Sequence, residues 1–319
     1  MSSQTHIGSS GVAIVGAGLV GLGWAIVFAR AGLNVRVFDH SAELVATLPD
    51  KLKQSLADLE RFGLIEGPDE ISRRVTYCDT LENAVSGVGY IQESVLERVD
   101  VKRGLYEQLD DLLDEQTIVG SSSSGIPSSA FTEGLSIAPR CLVAHPVNPP
   151  YLVPVVELVP ASWTLPQAVD QVHALMHAVD QHPIRVTREL QGFVLNRLQG
   201  ALLREAWALF EEGYCSAADI DATISKGLGL RWSFMGPFET IDLNAPGGVR
   251  DYANRLGGLY LDIDKERTDP QPWSEELISR VEAERRQALP LGSLGERSQW
   301  RDRRLMGLAA HKRDMEAGE

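Results

Sequence analysis

Two polar residues, His145 and Glu157, stand within apolar runs and can act together as an acid–base pair. His145 follows Leu142-Val143-Ala144, and Glu157 lies inside the run VVELV. A carboxylate in such a run must reach solvent or find a partner, because burying it alone is costly. A glutamate that binds one ring nitrogen of a histidine fixes the tautomer and leaves the other nitrogen as a base.

The same two runs are predicted strands, over 140–144 and 154–159, joined by the turn PVNPP. An antiparallel pairing across this turn brings His145 and Glu157 together. Taken alone, the pattern is better explained by a surface histidine and a glutamate at the rim of a sheet. The acid–base interpretation gains weight because a dinucleotide-binding pattern precedes it in the chain.

That pattern is GVAIVGAGLVGLG, which predicts a strand, a glycine turn and a helix. Its four consecutive apolar residues are typical of a parallel strand covered on both faces. The first glycine allows the tight turn, the second admits a pyrophosphate close to the backbone, and the third lets the helix pack on the strand. Amides at the helix start bind the anion. The cofactor-binding residues predicted here are Gly16, Gly18, Leu19, Val20 and Gly21.

An acidic residue completes the fingerprint. Residues 34–38 form a second predicted strand, and Asp39 follows it, eighteen residues after Gly21. A carboxylate at this place accepts hydrogen bonds from the adenosine ribose and repels a 2′-phosphate. The sequence therefore predicts NAD rather than NADP as the cofactor. The alternative is a glycine-rich packing turn with a solvated aspartate.

Strands and helices alternate up to about residue 190, and only helical periodicity follows from Gly192 onward. This order predicts an α/β fold, in which a doubly wound Rossmann-type NAD-binding domain over 1–190 precedes an all-α C-terminal domain over 191–319. Within the first domain, Pro49 is expected to kink or split a long helix over 41–62.

Composition excludes several classes of partner. The 319 residues carry a net charge of −14, which argues against nucleic acid or an anionic membrane as a partner. No window approaches eighteen apolar residues, and the N-terminus MSSQTHIGSS is not designed as a signal peptide. Cys78, Cys141 and Cys215 fit no metal-binding spacing, so reduced thiols in a cytoplasmic protein are expected.

Two further polar residues stand at useful positions. Ser124 ends SSSSG directly after a predicted strand, where open α/β sheets bind ligands. No GxSxG elbow surrounds Ser124, so nucleophilic catalysis is not indicated. Asn196 is predicted one turn into a helix and off its apolar stripe; the alternative is a side chain bound to local backbone. No histidines or carboxylates occur at metal-ligand spacing, so no metal is predicted.

The motifs GAGLVG, SSSSG, CLVAHPVNPPYLVPVVELVP and GFVLNRL together resemble the 3-hydroxyacyl-CoA dehydrogenase superfamily, over about residues 11 to 313. The family pattern implies a catalytic set and two cofactor contacts. Ser123 replaces a more usual threonine and Gly125 a bulkier residue, which leaves the detailed shape of the pocket open. The implied catalytic residues are Ser124, His145, Glu157 and Asn196, and the implied cofactor contacts are Glu97 and Lys102.

The resemblance implies a homodimer that oxidises a small 3-hydroxy acid, L-gulonate or a similar acid, with NAD. One alternative is the same chemistry on a 3-hydroxyacyl-CoA such as 3-hydroxybutyryl-CoA. The segment 50–74 holds five basic and six acidic residues, which argues weakly against a CoA site there. Another alternative is a crystallin-like protein that binds NAD without turnover. The sequence leaves the physiological substrate open.

Arg231, in GLRWSFMGP, bears on the choice of substrate. The acyl-CoA enzymes usually have a small residue at this place. A guanidinium suits a bidentate carboxylate, whereas a thioester offers no negative charge. Arg231 is therefore a candidate for holding the carboxylate of a free acid. The alternative is an ion pair with Glu239, with Asp242 or with a partner subunit.

Overall fold

An eight-stranded sheet organises the first part of the chain. The computed structural model of the protein describes residues 11–318. Residues 1–10, predicted not to form a signal peptide, and residue 319 lie outside the described range. The strands are β1 Val12–Val15, β2 Val35–Phe38, β3 Val75–Tyr77, β4 Tyr90–Glu93, β5 Ile118–Ser121, β6 Cys141–Pro146, β7 Val155–Pro160 and β8 His182–Arg185.

Fourteen α-helices are found in residues 11–318, with short 3₁₀ turns at Ala138–Arg140 and Leu291–Ser293 and a π-helical turn at Ile224–Leu228. They are α1 Leu19–Arg30, α2 Ala42–Arg61, α3 Pro68–Arg73, α4 Leu81–Val85, α5 Val99–Leu112, α6 Ser129–Thr132, α7 Pro166–Ala178, α8 Leu195–Glu211, α9 Ala217–Thr223, α10 Gly229–Trp232, α11 Pro237–Leu243, α12 Gly248–Lys265, α13 Glu275–Ala288 and α14 Leu294–Glu316.

The strand order is β3-β2-β1-β4-β5-β6-β7-β8. Every neighbouring pair is parallel except β6 and β7, which run antiparallel. Val12 and Ile14 belong to the hydrophobic cluster on one face of the sheet, and Ala13 and Val15 belong to the cluster on the other. A strand buried on both faces is what a doubly wound sheet requires, which confirms the predicted fold class.

Helix α2 runs through Pro49 without a break. Its hydrophobic side chains at Leu48, Leu52, Leu56 and Leu59 are all buried. This periodic apolar face holds the helix on the sheet and offsets the backbone hydrogen bond that proline cannot make. The expectation that Pro49 splits the helix is therefore wrong.

The chain forms two compact units. One comprises residues up to Leu198 together with those from Arg297 onward, and the other is Gln199–Glu296. The first unit thus takes in α14, which the sequence-based boundary at 190/191 places with the helical domain. Leu305 and Met306 of α14 pack with the hydrophobic core beneath β1. Arg313 of the same helix donates to the carbonyl oxygen of Gly63.

The second unit buries little apolar surface of its own. Among residues 199–296, the buried hydrophobic side chains are Phe210, Ala245 and Leu277. The apolar stripe predicted along α8 is not covered, since Leu202 is 38% exposed. Three buried hydrophobic residues are a small core for a unit that includes most of α8 and all of α9 to α13.

No helix within residues 11–318 is long and apolar enough to cross a membrane.

Candidate active site

His145 and Glu157 are paired side by side in the sheet. They are direct partners in the antiparallel register of β6 and β7. His145 Nδ1 lies 2.7 Å from Glu157 Oε2, and both side chains are buried. The contact orients the imidazole so that Nδ1 bonds the carboxylate and Nε2 is the second ring nitrogen. This is the geometry of a histidine base held by a carboxylate.

The second oxygen of Glu157 binds the start of helix α8. Oε1 accepts hydrogen bonds from the backbone amides of Val194, at 2.7 Å, and Leu195, at 3.0 Å. Burial raises the pKa of Glu157, but the hydrogen bond from His145 and those from the two amides lower it by more. The pKa is therefore lowered overall, and Glu157 stays ionised beside His145.

A bend in the backbone places α8 at this carboxylate. Gly192 and Phe193 both have positive φ, at +75° and +51°. The Phe193 side chain is buried, and its ring centroid lies 5.7 Å from that of His145. After these two residues the helix begins at Leu195, so Asn196 is its second residue. The expectation that Asn196 lies one turn into the helix is wrong.

Asn196 and Ser124 are brought into contact. Asn196 Nδ2 donates to the carbonyl oxygen of Ser124. Asn196 directly follows Leu195, whose backbone amide binds Glu157. The four predicted catalytic residues are therefore connected by hydrogen bonds and by the backbone between Leu195 and Asn196. An amide nitrogen has two hydrogens, so Asn196 keeps one beyond this contact.

Glu97 organises the serine loop. Its Oε1 accepts from the Oγ of Ser123 at 2.7 Å and from the amides of Ser124 at 2.8 Å and Gly125 at 3.0 Å. Burial raises the pKa of Glu97, but the Ser123 hydroxyl, the Lys102 charge and these amides lower it by more. Glu97 therefore fixes the backbone of Ser124 from one side, and Asn196 does so from the other.

Lys102 is buried in an ion pair. Its Nζ lies 2.8 Å from Glu93 Oε1 and 3.6 Å from Glu97 Oε2. Ser121 Oγ donates to Glu93 Oε2 at 2.5 Å. In this structure Lys102 thus braces the ends of β4 and β5 and reaches the carboxylate of Glu97.

The glycine turn fits a bound dinucleotide. A Cβ on Gly16, whose φ is +95°, would lie 2.5 Å from the backbone of Ser94, and one on Gly21 would lie 1.9 Å from the carbonyl oxygen of Gly16. A Cβ on Gly18 would meet no atom within 4 Å. Gly18 precedes α1 without a side-chain cap, so the helix start stays accessible to an anion.

A cavity of about 460 Å³ lies beside this turn, at the carboxyl ends of β1, β2 and β4. Asp39 lines it together with Val15, Val95 and Leu105. Asp39 Oδ2 accepts from the amide of Ala17 at 2.7 Å, which ties the acid to the glycine turn. Asp100 at the start of α5 also lines the cavity. Apolar walls and a carboxylate at the end of β2 suit an adenosine, so these residues fit the predicted cofactor.

Arg231 lies in α10 of the second unit and is exposed. In the part of the chain that the structure describes, it forms no ion pair with Glu239 or Asp242. Asp242 Oδ1 instead accepts from the amide of Val249 at 2.7 Å. Across the same residues, no group of three or more histidine, cysteine, aspartate or glutamate side chains could hold a metal ion.

Sequence reasoning missed a buried polar network beneath the site. It joins Trp24, Gln92, Ser94 and Ser122 through their side chains. Gln92 is fully buried in β4. A glutamine between Ile91 and Glu93 in a short strand is the signal in the sequence, because a buried amide needs partners.

Comparison with known proteins places these features in a family. The family model "3-hydroxyacyl-CoA dehydrogenase, NAD binding domain" matches residues 11–190, and "3-hydroxyacyl-CoA dehydrogenase, C-terminal domain" matches residues 192–289. The first match confirms NAD as the cofactor. The motifs quoted above also predict a close relation to lambda-crystallin, or L-gulonate 3-dehydrogenase, within this family.

Lambda-crystallin of Oryctolagus cuniculus is 40% identical over 311 residues, which is 96% of this chain and 97% of that protein. L-carnitine dehydrogenase of Streptomyces griseus is 38% identical over 77% of this chain and 73% of its own length. The solved structure of an NAD⁺-dependent 5-formyl-3-hydroxy-2-methylpyridine 4-carboxylic acid 5-dehydrogenase is 28% identical, covers 96% of this chain and 98% of that one, and has a TM-score of 0.81. The chain belongs to the 3-hydroxyacyl-CoA dehydrogenase family of NAD-binding oxidoreductases.

Proposed function

We propose that this enzyme oxidises the 3-hydroxyl group of a small free hydroxy acid, L-gulonate or a similar acid, to the 3-keto acid. The observation that carries the proposal is the buried contact of 2.7 Å between His145 Nδ1 and Glu157 Oε2. It leaves Nε2 as the ring nitrogen that can take a proton from a bound alcohol.

In this mechanism Glu157 keeps the Nδ1 proton in place, and His145 Nε2 accepts the proton of the substrate hydroxyl. The imidazolium that forms is stabilised by the ionised carboxylate. Bound NAD supplies the acceptor for the hydride that leaves the same carbon. The alcohol thus loses a proton and a hydride and becomes a ketone.

Ser124 and Asn196 stabilise the developing carbonyl oxygen. The remaining Nδ2 hydrogen of Asn196 and the hydroxyl of Ser124 are the donors proposed for this task. Their backbone support from Glu97 and Glu157 favours a fixed arrangement. For the cofactor, the proposal assigns Gly16, Gly18, Leu19, Val20 and Gly21 to the pyrophosphate turn and Asp39 to the ribose. Glu97 and Lys102 are assigned to a further contact, in which the buried Lys102 acts through the carboxylate of Glu97.

The free acid is favoured over a CoA ester by the exposed guanidinium of Arg231, which has no ion pair within residues 11–318. We assign this guanidinium to the substrate carboxylate. The relative named L-carnitine dehydrogenase supports this choice, because carnitine is a free hydroxy acid. The family name itself keeps 3-hydroxyacyl-CoA as the second candidate substrate.

The test is a screen for NAD reduction, read at 340 nm, across sugar acids, 3-hydroxybutyrate, carnitine and 3-hydroxybutyryl-CoA. We expect at least one free acid to show a kcat/KM about tenfold or more above that of the CoA ester. His145→Gln is the control, because activity from this site must fall with it. Higher kcat/KM for the CoA ester would establish the second candidate, and NAD binding without any turnover would refute catalysis.

The proposed assembly is a homodimer built through the helical unit. Trp232, Phe234, Phe238 and Trp273 of this unit are each between 41% and 79% exposed, and these large apolar side chains support burial against a second copy. Sedimentation equilibrium should give twice the chain mass of 34.9 kDa. A cytoplasmic location is proposed from the three free thiols.

A further inference from the structure

Ser122 is the centre of the polar network beneath the cofactor turn, in which Trp24 and Gln92 are fully buried and the two serines are half-buried. Its Oγ lies 3.1 Å from Trp24 Nε1, 2.8 Å from Gln92 Nε2 and 2.8 Å from Ser94 Oγ. Trp24 belongs to α1, and Gln92 and Ser94 stand in β4 and directly after it. The network therefore links the helix after the glycine turn to the ends of two central strands.

The direction of each hydrogen bond follows from the chemistry of the partners. Gln92 Nε2 also lies 3.2 Å from the carbonyl oxygen of Ala144, which can only accept, so this atom is the amide nitrogen. The Tyr90 hydroxyl then donates to Gln92 Oε1 at 2.5 Å. Both hydrogens of the Gln92 amide are thus used, one of them on Ser122.

These directions decide which way the serine–serine contact runs. The indole N–H of Trp24 and the amide N–H of Gln92 can only donate, so they occupy both lone pairs of Ser122 Oγ. The one hydrogen of Ser122 must then go to Ser94 Oγ. Ser94 accepts this bond, and its own hydrogen points to another acceptor.

No acceptor for that hydrogen is found among residues 11–318. Ser94 is half-buried, and its backbone lies against Gly16, so that a Cβ on Gly16 would come within 2.5 Å of it. In the sheet, β1 separates β2, which precedes Asp39, from β4, β5 and β6, which carry Ser94, the serine loop and His145. A dinucleotide that spans from Asp39 to His145 must pass the end of β4 with its nicotinamide half.

We infer that Ser94 donates a hydrogen bond to an oxygen of the nicotinamide half of NAD, and that Trp24, Gln92 and Ser122 are positioning residues which direct its hydroxyl outward. The inference concerns cofactor binding and does not depend on which alcohol the enzyme oxidises.

The test is the dissociation constant of NADH, of ADP-ribose and of ADP, measured by titration calorimetry for wild type and Ser94→Ala. One neutral hydrogen bond corresponds to a loss of about three- to tenfold in affinity. We expect this loss for NADH and none for ADP, which lacks the nicotinamide half. A loss shared by ADP-ribose places the acceptor on the ribose side, and a loss for NADH alone places it on the carboxamide. Ser136→Ala, at an exposed serine bound to Asp110, is the matched control.

Unchanged affinity for NADH, or an equal loss for ADP, would overturn the assignment. Trp24→Phe tests the positioning role. It removes the indole donor, so one lone pair of Ser122 Oγ becomes free to accept a hydrogen bond from Ser94 Oγ. We expect a loss of about twofold for NADH, and no added loss when Ser94→Ala is already present. Additive losses would show that Trp24 acts by packing alone, and the directed hydroxyl would be refuted.

Discussion

Glu157→Gln is the most informative perturbation of the active site, because glutamate and glutamine side chains have the same shape. The amides of Val194 and Leu195 only donate, so the carbonyl oxygen of the new amide must face them. Its NH₂ group then faces His145 Nδ1, which has to accept. The neutral imidazole is left with its proton on Nε2, the atom that must take the proton of the substrate.

We expect Glu157→Gln to lower kcat by roughly 10²–10⁴, the usual value of a positioned general base. The loss should persist at high pH, because this tautomer is neutral and carries its proton on the nitrogen that must act as the base. NADH affinity should change less than about twofold, since an unaltered cofactor turn leaves the binding free energy within about 0.4 kcal/mol.

The control is Glu157→Ala, which removes the cap on α8 but imposes no tautomer. It should unfold at lower denaturant than Glu157→Gln and yet retain more turnover. Rates are read at 340 nm with the best substrate of the screen, and a deuterated substrate shows whether hydride transfer limits the rate. Turnover of Glu157→Gln equal to or above that of Glu157→Ala would refute the tautomer argument.

Three further predictions concern the cofactor, the substrate and acid stability. Asp39→Ser should weaken NAD binding by about 1–3 kcal/mol. It should also reduce the preference for NAD over NADP, measured as the ratio of the kcat/KM values for the two cofactors. Equal use of both cofactors by wild type would contradict this prediction. Arg231→Met should raise KM for acids by roughly 10–100-fold and leave KM for neutral β-hydroxy esters unchanged. Arg250→Met, at an exposed arginine of α12, is the control and should leave both KM values unchanged. Equal losses on both substrates for Arg231→Met would make Arg231 structural. Because the folded pKa of Glu157 is lowered, its carboxylate stabilises the fold above about pH 4.3 and loses this effect as pH falls further. Urea unfolding at pH 7 and pH 3.5 should therefore show a smaller acid loss for Glu157→Gln than for wild type, and identical losses would contradict it.

Much of this structure could be predicted from short patterns in the sequence. The spacing of Gly16, Gly18 and Gly21 encodes a turn whose steric demands are set within a few residues, so its strand and helix could be predicted. His145 and Glu157 could be paired because strands that follow one another in the chain, here connected by residues 147–154, usually lie side by side.

Other features depend on contacts that no local pattern specifies. The start of α8 is set by Glu157, whose carboxylate accepts a hydrogen bond from the backbone amide of Val194, thirty-seven residues later in the chain. The apolar stripe of that helix looks like a buried face in the sequence, but burial depends on a partner surface, and the second unit supplies little. The hydrogen bonds around Ser122 need side chains from the first helix and from the ends of β4 and β5, and hydrophobic periodicity does not indicate which of these side chains meet.

The return of α14 to the first unit makes the order of synthesis matter. Met306 completes a hydrophobic core whose other members lie before residue 180, and it emerges from the ribosome only after residues 199–296. The nucleotide-binding unit therefore finishes folding after translation of nearly the whole chain. Truncation at residue 289, where the family match ends, would remove a wall of this core and leave an aggregation-prone chain, so a shortened form is a poor choice for expression.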